Sequence, residues 1–184
     1  EYVTVTQARK GLPDPIGGIV WLAMGFQDTS CFMPLYNGIT EIPRGLQIGD
    51  HFEFSREATR WAFDYVDFHT QVVYSHAIQD VRAAQQKYEA PAVARTPMVD
   101  KYALELYQKD PAAAAQYLTD YCLNNIAAVT DAWWKLGDML LVKYNKLWIY
   151  DVKARKRAPL LFPDWYLRLL VEQNKLTPKE TEEH

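Results

Sequence analysis

Tyr2-Val3-Thr4-Val5-Thr6-Gln7-Ala8-Arg9 and, after a loop, Ile19-Val20-Trp21-Leu22-Ala23-Met24 are the stretches that set the fold class. The first is dense in β-branched residues and alternates. Val3, Val5 and Gln7 fall on one side, and Tyr2, Thr4, Thr6 and Ala8 on the other, which is the period of a strand. The segment between them, Gly11 to Gly18, carries two prolines and three glycines and reads as a loop. Ile19 to Met24 is a short apolar run bounded by glycines, the pattern of a buried strand. The two are expected to be antiparallel neighbours. Cys31 to Tyr36 is a third, short extended piece, and Pro34 confines it to an edge or to a place outside the sheet.

From there the period changes. Residues 37–54 hold Gly38, Pro43, Gly45 and Gly49 and form a loop. Ser55 is the expected N-cap of a helix running to about Glu89, with Trp61, Tyr65, Phe68, Val72 and Ala83 as its apolar stripe. Pro91 and Pro97 are expected to interrupt it, with a second helix over Met98 to Lys109. Asp110-Pro111 is a strong start signal for a third helix reaching about Asn145. Leu147 to Val152 reads as one arm of a small hairpin turning at Lys153 to Lys156. Pro163-Asp164 opens a last short helix, and residues 175–184 are a polar tail. Strands over about 2–36, helices over about 55–145, and a hairpin plus final helix over about 147–171 make the class α+β.

Composition narrows the function. The net charge is −3 and neither half is strongly basic, so the clustered Lys and Arg that phosphate binding requires are absent. The short basic run Lys153 to Arg157 reads as a solvated loop. No apolar run reaches the roughly 18 residues of a membrane span. Gly17-Gly18 lacks the spacing of a phosphate loop. Cys31 and Cys122 are too few for a disulfide framework. The chain opens at Glu1 directly in a strand pattern, from which further sequence upstream is expected.

Three stretches, in this order, carry a family resemblance. The first is Gly17 to Trp21 with Asp28-Thr29-Ser30 and Pro34 to Pro43. The second is Ala103 to Tyr107 with Asp110-Pro111. The third is Trp134 to Asp138 with Lys143-Tyr144-Asn145 and Phe162 to Arg168. Over about residues 1–170 the chain resembles the C-terminal portion of the cysteine dipeptidases of the dipeptidase A type, relatives of the secernins. The resemblance implies an αββα N-terminal-nucleophile fold. It also implies a mature enzyme that begins with Cys, whose thiolate attacks a peptide carbonyl while its own α-amine acts as base. This sequence has Glu1 first, and its two cysteines are internal. The nucleophile is therefore expected upstream, with the missing N-terminal half as partner, dipeptides as substrates, no cofactor, no metal, no nucleic acid or membrane partner, and homo-oligomerisation possible. The alternatives are a non-catalytic helical interaction module of secernin type, or an amidase of the same superfamily acting on N-acyl substrates.

No catalytic residue is expected within this chain. Position nominates Arg9 to pair with a substrate carboxylate, and Asp28 and Ser30 to line the mouth of the site. Their plainer roles are a strand-end surface residue and the capping of a loop. Sharper arrangements read as structural. Cys31 with His51, His69 or His76 lacks a papain-like signature, and a lone Cys is ordinarily a small buried hydrophobe. His69, His76 and Asp80 are placed on one helix, where His76 and Asp80 have chelating spacing but read as an exposed pair. Asp64 and Asp67 read as the polar edge of the first helix. Trp61, Trp133, Trp134, Trp148 and Trp165 read as core.

Overall fold

The computed structural model describes residues 2–174 and shows the α+β class expected from the sequence. Strand β1 (Tyr2–Ala8) leads through a one-turn helix α1 (Asp14–Gly17) into β2 (Gly18–Met24), and β3 (Met33–Tyr36) follows. They form an antiparallel sheet in the order β1-β2-β3, with Val5 opposite Trp21 and Trp21 opposite Pro34. Pro34 sits on the edge strand, where a missing N–H costs least.

The outer edge of β3 lies against two long helices. The Phe32 N–H, just before the strand, donates to a Glu89 carboxylate oxygen at 2.8 Å, and the Tyr36 N–H donates to Cys122 Sγ at 3.5 Å. Edge groups that would otherwise face a low-dielectric interior unpaired are satisfied in this way. The opposite edge is different. Apart from half-buried Val3, β1 is exposed on both faces, with Tyr2 69% and Val5 52% exposed, and among the described residues no strand pairs with its outer side.

A short helix α2 (Arg44–Gln47) precedes α3 (Thr59–Val72), α4 (Tyr74–Tyr107) and α5 (Pro111–Lys143). Two apolar clusters flank the sheet. One gathers Met33, Phe63, Val66, Ile78, Val81, Ile126 and Trp133, and the other Ile16, Ile19, Trp21, Tyr36, Val99, Leu118 and Cys122. Fully buried Trp133 also donates its indole N–H to the Thr29 carbonyl at 2.9 Å, as a buried indole requires.

The helix boundaries correct three expectations. Ser55 does not cap α3. Its hydroxyl accepts the Glu57 N–H in a local turn, an alternative that serine offers the backbone, and the helix starts four residues later. The helix then breaks at Val73, whose backbone (φ −141°, ψ 45°) is not helical, so α3 and α4 are separate elements. Pro91 and Pro97, by contrast, do not interrupt α4. Each removes one ladder hydrogen bond, but Val81 before them, Ala92 between them and Val99 after them are all buried, and tertiary packing overrides the local penalty. Asp110 caps α5 by accepting from the Ala112 and Ala113 N–H groups at 2.9 and 3.2 Å, with Pro111 at the first helical position.

A second small sheet joins β4 (Tyr144–Asn145), β5 (Trp148–Asp151) and β6 (Lys156–Pro159), and α6 (Asp164–Gln173) follows Pro163. The polar tail expected over 175–184 lies outside the described residues. No helix among the described residues is long and apolar enough to cross a membrane.

Candidate functional site

The segment between β2 and β3 is held by side chains from three helices. Gly25 opens it in a left-handed conformation (φ 71°) and lies against α3, where a Cβ would sit 3.3 Å from an Asp64 oxygen. Thr29 Oγ1 donates to Asp67 Oδ1 at 3.0 Å, and Gln85 Nε2 donates to the carbonyls of Asp28 and Ser30 at 3.0 and 2.8 Å. Tyr74 Oη donates to Asp28 Oδ2 at 2.8 Å. A loop tied at this many points is a rigid wall.

The residues nominated from the sequence separate. Asp28 is exposed and engaged by Tyr74. Ser30 is buried, and its Oγ has no hydrogen-bond partner among the described residues. Arg9 lies beyond the other end of β1, and seven strand residues span about 20 Å. Its guanidinium is occupied: it pairs with Asp100, donates to the Ile16 and Gly17 carbonyls, and stacks 5.5 Å from the centroid of the Tyr36 ring. Tyr36 in turn donates to Asp100 at 2.7 Å, and burial together with that carboxylate raises its phenol pKa.

The thiols are unsuited to nucleophilic work. Cys31 and Cys122 are both fully buried and unpaired with each other. Burial raises the Cys31 thiol far above its ordinary range, with a further push from Glu89, and holds Cys122 up at about 11. The histidine arrangement also dissolves. The break at Val73 puts His69 on α3 and His76 on α4, while Asp80 binds Lys143 Nζ at 2.7 Å and the Tyr144 hydroxyl at 2.7 Å. Among the described residues no group of three or more His, Cys, Asp or Glu is arranged to hold a metal ion.

What the structure adds is a groove along α3. Phe26, Phe54, Trp61, Tyr65 and Phe68 line it together with Asp64, Asp67 and Gln71, around a cavity of about 460 Å3. The helix's buried face is Thr59, Ala62, Phe63, Val66, Asp67 and Thr70. Of the apolar stripe read from the sequence, Trp61, Tyr65 and Phe68 line the groove, with Phe68 66% exposed, while Val72 lies outside it and is 60% exposed. The pair read as a polar edge divides as well. Asp64 is partly exposed and bridges to Arg60 at 2.6 Å, whereas Asp67 is 8% exposed. Of the five tryptophans read as core, Trp133 is buried but Trp165 is 67% exposed. The available signal was that α3 carries two apolar faces where one suffices for packing.

The family model of peptidase family C69 matches residues 1–87 of this chain. The match takes in β1 to β3, the Gly25–Ser30 segment and all of α3, so the likeness to a peptidase family and the groove fall on the same part of the molecule. No curated protein matches the chain.

Proposed function

We propose that this chain is the C-terminal portion of a cysteine dipeptidase of the N-terminal-nucleophile type. The catalytic Cys lies upstream of Glu1. Its thiolate attacks the peptide carbonyl, its α-amine takes the thiol proton and returns one to the departing amine, and water then releases the acyl group. In this reading the chain supplies the sheet and the pinned loop that support the site, with Asp28 and Ser30 near its mouth.

The observation that carries the reading is the peptidase family C69 match over residues 1–87. The burial of both thiols supports placing the nucleophile elsewhere. The open outer edge of β1 supports a neighbour that completes the sheet.

The test is N-terminal sequencing and mass of the native protein, with hydrolysis assayed on the same sample. A larger protein that starts with Cys, cleaves dipeptides and loses activity on Cys→Ala substitution is expected, with the 184-residue chain inert by itself. A native protein that starts near Glu1 and cleaves nothing sinks the reading. N-acyl amides cleaved in preference to dipeptides would replace it with an amidase of the same superfamily.

A further inference from the structure

We infer that the α3 groove is a binding site for an organic ammonium ion carried on an aromatic or branched apolar body. Five aromatic rings, from Phe26, Phe54, Trp61, Tyr65 and Phe68, line the groove. Phe26, Phe54 and Phe68 leave more than half of their surface exposed, at 53%, 54% and 66%. Rings offer their negative faces to a cation and their bulk to an apolar body, a combination used repeatedly for ammonium recognition.

The charge at the bottom of the groove agrees. Asp64 is neutralised by Arg60, which also stacks 5.2 Å from the centroid of the Trp61 ring. Asp67 has no cation partner among the described residues, although more than nine-tenths of it is buried. Both of its hydrogen bonds, from Thr29 Oγ1 and Gln71 Nε2 at 3.0 Å each, fall on Oδ1. Oδ2 accepts from no group among the described residues, and Asp67 is one of the residues that line the groove. A cation bound in the groove would give this carboxylate the counter-charge it lacks. The groove therefore presents one uncompensated negative charge inside an aromatic box. An anion would meet repulsion there, and a neutral aromatic would leave the carboxylate unpaired. The cavity, about 460 Å3, lies within the range of small-ligand sites.

Calorimetric titration of the full chain at pH 7 tests this with three probes of one size: phenethylamine, phenethyl alcohol and hydrocinnamate. The amine is expected to bind, the alcohol about tenfold or more weaker, and the carboxylate not at all. Asp67→Asn keeps an oxygen to accept from Thr29 and Gln71 while removing the charge, and should lower amine affinity to that of the alcohol. Phe68→Ala removes one exposed ring without touching the core, and should weaken the amine roughly threefold to tenfold. The inference is overturned by absence of amine binding, by equal binding of amine and alcohol, or by amine affinity unchanged in either variant. It needs no hydrolysis, so its outcome is read separately from that of the dipeptidase proposal.

Discussion

Arg9 and Asp100, 91 residues apart in sequence, form an ion pair that fastens the end of β1 to the C-terminal part of α4. Both side chains are largely sheltered, at 17% and 13% exposed, and Asp100 also accepts from Tyr36. Removing the cation strands a partly buried carboxylate. Arg9→Ala is therefore expected to cost about 3 kcal/mol in urea unfolding. Arg9→Lys should recover only part of it, because one ammonium cannot reach Asp100 and the Ile16 and Gly17 carbonyls of α1 with the geometry of a guanidinium. A loss under about 0.5 kcal/mol for the alanine variant would show that the pair holds nothing together.

Pro97 is exposed in the interior of α4. The substitution Pro97→Ala restores a ladder donor and relieves the ring's clash with the preceding turn, at the cost of a less restricted unfolded chain. The balance is a gain of about 1–2 kcal/mol. Thermal or urea unfolding checks it. A destabilised variant would mean that the restriction the proline places on the unfolded chain outweighs the restored hydrogen bond.

Gly137 on α5 lets α3 approach closely. A Cβ there would lie 2.4 Å from Tyr65 Cδ1 and 2.8 Å from Cε1. Alanine brings about 1 kcal/mol of helix propensity, but the overlap costs about 1–3 kcal/mol. Gly137→Ala should therefore be net destabilising, and the sign should reverse when Tyr65→Ala is already present. Stabilities of the two singles and the double variant settle it. A Gly137→Ala loss that persists without the ring would locate the strain elsewhere.

Cys122 makes alkaline pH destabilising. Below pH 9 its thiol is protonated in the folded and the unfolded chain alike, so stability does not respond. Between the ordinary value of 9.0 and about 11 the unfolded chain releases the proton and the folded chain retains it, so stability falls as pH rises through that window. The share belonging to Cys122 is about 2–3 kcal/mol. Cys122→Ala should remove that part of the slope in unfolding measured from pH 8 to 11. In the native chain at pH 8 neither cysteine should react with a thiol reagent, and both should react in denaturant. A fast-reacting native thiol would contradict the burial.

The sheet was legible because its signals are local. The strand alternation, the glycine-bounded run at Ile19 to Met24 and the edge-strand Pro34 each depend on a few neighbours, and so does the Asp110-Pro111 start of α5. The helical half was less legible, since its outcomes turn on distant partners. Whether Pro91 and Pro97 stop a helix depends on what Ala92, Val99 and Ala103 pack against. Whether Ser55 caps depends on its competing turn with Glu57. The groove was hidden by the same ambiguity: apolar periodicity marks a face that prefers not to meet water, and it does not say whether protein or ligand will cover it. Asp67 could be read as buried only once Thr29, 38 residues away, was seen to donate to it.

The bare outer side of β1 has a consequence for handling the molecule. A strand that alternates Val and Thr, with unpaired N–H and C=O groups on its free side, is a template that a second copy can extend. Lys and Pro, the usual guards of such edges, are missing between Tyr2 and Ala8. Self-pairing grows with concentration, so association through this edge is expected to rise as the chain is concentrated, and a strand laid beside β1 would suppress it.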